Sequence, residues 1–314
     1  MAMQAAKPGK GEVRKKSNRI KSANWQFWLI IALPLLYIFI FNYLPMSGIL
    51  MAFKDFSPRK GIWDSPWVGL KWFQQFLGSP SSRKIIWNTL ILGVYSLVAS
   101  FPLPIILAIG LNEIKAVRFK KTVQMVTYAP YFISTVVMVG LLMQLTDLRI
   151  GVINQVLGLI GINPVNFFGN PGIFRSLYVW SGVWQSTGYS AIIYIAALTG
   201  VSQELKEAAI VDGASRLKRI WHVDLPAIMP TIVILLIFNC GQVMNIGYEK
   251  IYLMQNDINL PVSEIISTYV YKVGLQNANY SFSTAVGLFN SVVGFILLIT
   301  VNQISKKLTD TSLW

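Results

Sequence analysis

Between two long apolar runs the chain reads Glu204-Leu-Lys-Glu-Ala-Ala-Ile-Val-Asp-Gly-Ala-Ser-Arg-Leu-Lys-Arg-Ile-Trp-His-Val-Asp-Leu-Pro226, with a further proline at Pro230. Helix-forming residues run from Ser202 to Asp212 and stop at Gly213, a residue that takes the left-handed conformation of a helix C-cap at no steric cost. Ser215 is placed to cap a second short helix, which continues until Pro226 opens the next apolar run. Two short helices with a fixed bend make a rigid knob. On it Ala208 and Ala209 let a docking surface approach the backbone, Glu207 and Asp212 present carboxylates, and Arg216, Lys218 and Arg219 form a basic edge. Such a helical, mixed-charge protrusion suits insertion into the groove of a partner.

The apolar runs that flank the knob belong to a series. Six segments, at roughly 25–44, 86–111, 123–145, 177–199, 227–247 and 283–304, have the length and polarity of transmembrane helices. Backbone groups in lipid must bond internally, so the expected fold is all-α, a polytopic membrane protein with six transmembrane helices. Composition agrees: of 314 residues 54% are hydrophobic and 13% charged, and the mean hydropathy is +0.53, too apolar for an ordinary soluble globule. Pro34, Pro102, Pro104 and Pro130 fall inside the runs and predict kinks.

The formal net charge of +14 does not mark a nucleic-acid binder, because the cations cluster at the ends of apolar runs and form no continuous basic face. With the N-terminal tail on the cytoplasmic side, 17 of the 27 Lys and Arg residues fall on that side. The other ten are spread over longer loops, so both termini are predicted to be cytoplasmic. Residues 1–24 read as a basic cytoplasmic tail and 25–314 as the transmembrane domain. The first apolar run spans about 20 residues with no small-residue cleavage site after it, and is expected to stay as an uncleaved span. The loop 45–85 is rich in aromatics, among them Trp63, Trp67, Trp72 and Phe76, which predicts interfacial belts or short helices lying on the membrane. The stretch 146–175 reads as a turn-rich external loop. Cys240, the single cysteine, excludes an intramolecular disulfide, and His222, the single histidine, has no cluster around it that would bind a metal.

Chemistry is sparse inside the spans. No G-x-x-x-x-G-K-[ST] sequence occurs, so a phosphate cradle for ATP is absent. No ionisable residue falls in the central part of a span as drawn, which argues against an ion-coupled secondary transporter. No paired carboxylates, His cluster or activated nucleophile suggests a membrane enzyme. Polar and aromatic groups are present instead. Asn239, Gln242 and Asn245 are spaced to share one broad face of the fifth helix. The fourth span offers Trp180, Trp184, Gln185 and Tyr189, the sixth Asn290, and the third Tyr131 and Gln144. Sugars are held by hydrogen bonds and ring stacking, so these residues are candidates for a substrate pathway. Interhelical hydrogen bonds and packing are the alternative use of the same groups.

The pattern E-A-A, three residues, G, nine residues, then I/V-x-L-P is the signature of permease subunits of binding-protein-dependent ABC importers. Here it reads Glu207-Ala208-Ala209, Gly213 and Val223-Asp224-Leu225-Pro226. The chain resembles that family, with its MetI-like core, from Trp25 to Trp314. Gly69-Leu-Lys-Trp-Phe73, Asn88-Thr-Leu90, Tyr248-Glu-Lys-Ile-Tyr-Leu-Met254 and Tyr280-Ser-Phe-Ser-Thr-Ala-Val-Gly287 read like the carbohydrate branch, similar to maltose-type permeases. The resemblance implies a second permease subunit, making a heterodimer, two ATPase subunits that bind ATP and Mg, and an extracytoplasmic solute-binding protein. It implies an oligosaccharide substrate, with a permease of the same class for another solute as the alternative, and a place in the bacterial cytoplasmic (inner) membrane. The chain itself would bind no cofactor. By the same resemblance the loop 202–226, with Glu207, Ala208, Ala209, Asp212, Gly213 and Arg216, couples to the ATPase, and the spans rock between inward- and outward-facing states.

Overall fold

The computed structural model describes residues 17–309 together with 312 and 313; residues 1–16 of the expected basic tail lie outside that range. The described residues divide into a short unit ending at Leu50 and a large one beginning at Met51. Secondary structure is helical throughout, and the β pairing among the described residues amounts to two isolated bridges, Lys54 with Trp67 and Ser57 with Gly61.

In the short unit the helix Ser17–Ile38 starts eight residues before the expected first span and passes through Pro34. A π-turn at Phe39–Tyr43 and a 3₁₀ stretch from Leu44 continue it. From Phe27 on it carries exposed apolar residues around its circumference, which suits a helix surrounded by lipid.

Among the described residues four helices are long and apolar enough to cross a bilayer: Trp25–Phe53, Pro80–Glu113, Arg216–Gly241 and Tyr280–Lys307. The expected third span is not one helix. Val117–Phe132 and Thr135–Leu145 meet at 102°, and they make a fifth crossing only if taken together. Pro130 signals this break, but the bend is far sharper than a proline kink. Two side chains stabilise it: Ser134 caps the second half through Val137 N–H at 3.4 Å, and Gln185 Nε2 donates to the freed Ile133 carbonyl at 2.9 Å. Length and composition thus give four to five spans where six were expected. The remaining helix, Pro171–Thr199, has 29 residues, about 44 Å, but its Trp, Tyr, Ser and Gln residues lower its hydropathy.

That helix is the hub of the large unit. It packs against Pro80–Ser100, Pro102–Glu113 and Val117–Tyr128, and a methyl group at Gly188 would overlap the Thr127 carbonyl. Gly93 is pressed in the same way against the Val243 carbonyl. Apolar cores lie at both ends of the bundle. Ala108, Ala191, Tyr194, Leu198 and Ile228 form the one nearer residue 216, and Trp72, Phe76, Ile85, Met244, Ile266 and Phe282 belong to the one at the opposite end. The aromatic loop therefore splits. Trp72 and Phe76 enter this second core and Trp72 Nε1 donates to the Lys54 carbonyl at 3.0 Å, whereas Trp63 and Trp67 stay exposed.

Two expectations for the fifth span need correction. Pro226 opens no new helix, because Arg216–Gly241 is continuous. A π-turn at Ile220–Asp224 lies just before Pro226 and accommodates its missing N–H, while Pro230 sits inside the α-helical stretch that follows. The helix then stops at Gly241, short of 247, where Gln242 N–H closes onto the Phe238 and Asn239 carbonyls.

Candidate functional site

The knob is built from local rules. Ser202 accepts from Leu205 N–H at 3.4 Å and starts the helix Gln203–Val211. At its end Gly213 has φ +74°, Gly213 N–H donates to the Ile210 carbonyl and Ala214 N–H to the Ala209 carbonyl. These bonds are the paired closure of a Schellman motif. Ser215 then caps Arg216–Arg219 through Lys218 N–H at 3.4 Å. The two short helices are fastened by an ion pair absent from the sequence reading, Lys206 Nζ to Asp224 Oδ1 at 3.1 Å, with Asp224 only 2% exposed. A second, longer pair joins Arg219 to Glu113 at 3.9 Å, so Arg219 faces the bundle and is not part of a free basic edge.

Glu207, Ala208, Asp212, Gly213 and Arg216 are exposed and Ala209 is half-buried. Gln203 Nε2 donates to Glu207 Oε1 at 3.3 Å across one helical turn. Beside them Leu205, Ile210, Val211, Leu217 and Trp221 present apolar side chains, with Val211 86% exposed. Exposed apolar side chains interspersed with Glu207, Asp212 and Arg216 have the make-up of a protein-docking surface. The EAA pattern points at the carboxylate and the glycine but says nothing of this face. Its signal is the set of large apolar residues inside an otherwise charged loop. His222 lies in the π-turn Ile220–Asp224 and not in a loop, and its Nδ1 is 2.9 Å from the Lys218 carbonyl.

The candidate pathway residues do not form one site. Tyr189 and Asn239 line a cavity of about 290 Å³ together with Ser100, Phe101, Ser186 and Ser190. Tyr131 stacks on Tyr189 with ring centroids 3.8 Å apart and planes 3° from parallel. Asn239 donates to the Leu235 carbonyl of its own helix at 2.7 Å, which leaves its Oδ1 for another partner. Hydroxyls, an amide and phenol rings around one chamber are groups of the kind that hold a sugar ring.

The other candidates lie elsewhere. Because the fifth helix ends at Gly241, Gln242 and Asn245 do not continue the face of Asn239. Asn290 Nδ2 donates to the Met244 carbonyl at 3.1 Å and to Asn245 Oδ1 at 3.0 Å, so these amides tie the segment after Gly241 to the last helix. Gln185 is committed to the helix break, and Gln144 is exposed at the end of Thr135–Leu145. Trp180 Nε1 donates to the Tyr95 hydroxyl at 3.0 Å. Trp184 borders a separate, mainly apolar groove of about 440 Å³ with Leu103, Ile106, Val126 and Pro130. Among the family-like stretches, Asn88 acts as a clamp: it donates to the Pro261 and Glu264 carbonyls at 3.1 Å and accepts from Arg175 at 2.8 Å.

Comparison with known proteins places this geometry. A family model described as binding-protein-dependent transport system inner membrane component matches residues 75–310. The chain is 42% identical to Protein LplB of Bacillus subtilis (strain 168), covering 94% of this chain and 92% of that protein. It is 41% identical to the polygalacturonan/rhamnogalacturonan transport system permease protein YteP of the same organism, over 96% and 94% of the two chains. Among solved structures it resembles a chain of a bacterial ABC transporter involved in the import of the acidic polysaccharide alginate. The TM-score is 0.85 at 35% identity, covering 93% of this chain and 98% of that one. Against a chain of the alginate transporter in complex with an alginate pentasaccharide-bound periplasmic protein, the TM-score is 0.86 at 34% identity, with 95% and 100% covered.

Proposed function

This chain belongs to the family of binding-protein-dependent transport system inner membrane components, and we propose that it forms one half of the pathway by which an ATP-driven importer moves oligosaccharides across the membrane. It is a multi-pass inner-membrane permease and not the ATPase of its importer. The names of its relatives, a polygalacturonan/rhamnogalacturonan permease and an alginate importer, put fragments of acidic polysaccharides first among substrates to test. Pro171–Thr199 serves as the sixth span, which returns both termini to the cytoplasmic side and puts the 202–226 knob there too.

The observation that carries this reading is mechanical. The docking helix Gln203–Val211 is tied through Lys206–Asp224 to the base of one unbroken helix, Arg216–Gly241, and that helix carries Asn239 of the sugar-type chamber near its far end. Movement imposed on the exposed face by a closing ATPase dimer is thereby transmitted to the chamber wall without a flexible joint. Coupling requires that the docked surface prefer different conformations with and without nucleotide. A second permease subunit closes the pathway, and an extracytoplasmic binding protein delivers the sugar. The test is reconstitution with the partner permease, ATPase and binding protein, followed by ATP hydrolysis with alginate and galacturonan pentasaccharides. Stimulation by either supports the reading; none by either, with a binding protein loaded by the same sugar, contradicts the substrate class.

A further inference from the structure

At the end of the bundle opposite the knob the short helix Lys71–Gly78 is followed at once by the long helix Pro80–Ser100. The chain turns between them at Ser79, whose Oγ accepts from Ser81 N–H at 3.3 Å. A recess of about 630 Å³ opens beside this turn, bordered by Leu77 from the first helix and by Pro80, Arg83, Lys84, Ile86 and Trp87 from the second. No acidic residue lines it. Trp72 and Phe76 point the other side of the short helix into the core, while Leu77, Arg83, Lys84 and Trp87 stand exposed around the recess.

Neither Arg83 nor Lys84 makes an ion pair among the described residues. Lys84 also borders a smaller recess that holds Asp257 and Glu264, but Glu264 is committed to Lys272 at 3.2 Å, so Arg83 is the cation that belongs to the larger recess alone. Away from the knob, on the side where cations do nothing to set topology, a pair of them calls for another use. Below them the same helix is apolar. Arg83, Trp87, Val94 and Val98 share one helical face, and Trp87, Val94 and Val98 are 62%, 48% and 65% exposed. From Trp87 to Val98 that face runs about 16 Å at 1.5 Å per residue, about half the thickness of a hydrocarbon core. The Trp184 groove is also open and mainly apolar, but it has no charged residue in its lining.

We infer that this recess is a binding site for one anionic phospholipid of the leaflet opposite the knob, its headgroup held by Arg83 and Lys84 and an acyl chain laid along Trp87, Val94 and Val98. The guanidinium of Arg83 donates two parallel hydrogen bonds to a phosphate, and Lys84 adds a second positive charge that favours an anionic headgroup over a zwitterionic one. Trp87, one turn below, sits at the level where an indole bridges headgroup and hydrocarbon. Leu77 and Pro80 close the recess from the turn, which distinguishes a fixed site from the lipid that coats any apolar helix. The site is independent of which solute the permease carries.

The test uses the complete importer in nanodiscs of equal parts phosphatidylglycerol and phosphatidylcholine, and native mass spectrometry of the lipid that stays bound after transfer to detergent. The unaltered complex should retain phosphatidylglycerol in excess. Arg83→Gln should lower the ratio of the two retained lipids about fivefold, the worth of one cation at a membrane surface, and Arg83→Gln/Lys84→Gln should bring it close to one. Phosphatidylglycerol should raise the unfolding temperature of the unaltered complex and not of the double variant, the two unfolding alike in phosphatidylcholine alone, which shows that the variant is folded. An unchanged ratio in the double variant overturns the inference. A photo-crosslinking p-benzoylphenylalanine in place of Trp87 should form its adducts with lipid; capture of another protein subunit in its place shows that the face is a protein contact and overturns the inference equally.

Discussion

The two ends of the bundle are held together by different chemistry. At the knob end the fastenings are charges, Lys206–Asp224 at 3.1 Å and Arg219–Glu113 at 3.9 Å. At the opposite end the one ion pair among the described residues, Lys272–Glu264 at 3.2 Å, is outnumbered by amide clamps. Asn88, Asn154, Asn259 and Asn290 each bond to two or more backbone or side-chain groups of other segments. Half-buried Lys250 has no carboxylate partner among the described residues; it donates to the Tyr178 carbonyl at 3.1 Å and lies over the Tyr178 ring. The difference tracks what each end has to do. Amide clamps are short-range and directional, and they hold irregular backbone in one arrangement. Ion pairs act over longer distances and keep two helices moving as a unit while their outer surface engages something else.

The comparison is broken most directly at Lys206. Lys206→Met leaves Asp224 buried without its cation, and breaking a buried pair on one side costs about 3–5 kcal/mol. The expected outcome is a lower unfolding temperature and loss of co-purifying ATPase, with most of the defect reversed by the double variant Lys206→Met/Asp224→Leu in the unfolding measurement. Next in size is Lys250. Burial lowers its pKa from 10.5 to about 8, so the folded chain bears the cost of a buried charge below pH 8 and sheds it as pH rises toward 10.5. Stability should therefore rise by up to about 3 kcal/mol across that window. Lys250→Met should abolish the rise and be the more stable chain at pH 7.5, as read by thermal unfolding in detergent across the pH series.

Gly213→Val forces a β-branched residue into φ +74°, at a cost of about 1–2 kcal/mol. No neighbour lies within 4 Å of the position, so the bend should be lost without a clash, cutting coupled uptake far more than stability. Tyr189→Ala removes the stacked partner of Tyr131, worth about 0.5–1.5 kcal/mol, and should weaken uptake of every chain length. Arg219→Ala should have the smallest effect, under about 1 kcal/mol, since its partner is 28% exposed and the pair is long.

Legibility in the sequence follows the same division. The knob is written in local terms: Ser202, Gly213 and Ser215 specify caps and a left-handed turn within a few residues, and the structure has each of them. Features set by distant partners were not legible. Pro130 announces a kink, but the 102° break also depends on Gln185, more than fifty residues later. Asn239, Gln242 and Asn245 keep helical spacing, yet the helix ends at Gly241, where the chain must pass close to Gly93 and Leu298. Trp72 and Phe76 read as interfacial aromatics because nothing in the loop reveals that Phe282 packs against them. Asp224 was visible only as a spacer in the I/V-x-L-P pattern; its burial and its pairing with Lys206 are products of the fold.

Coupling depends on the exposed apolar side chains of the knob meeting an ATPase subunit on the cytoplasmic side. Val211, 86% exposed at the tip, is the place to ask, with Cys240 replaced by alanine so that Val211→Cys carries the one thiol of the chain. In intact cells the account predicts that a thiol-to-amine crosslinker joins this cysteine to the ATPase subunit, with a yield that changes when ATP is trapped, and that a membrane-impermeant thiol reagent added outside does not label it. Labelling from outside, with no adduct to any nucleotide-hydrolysing subunit, would contradict it.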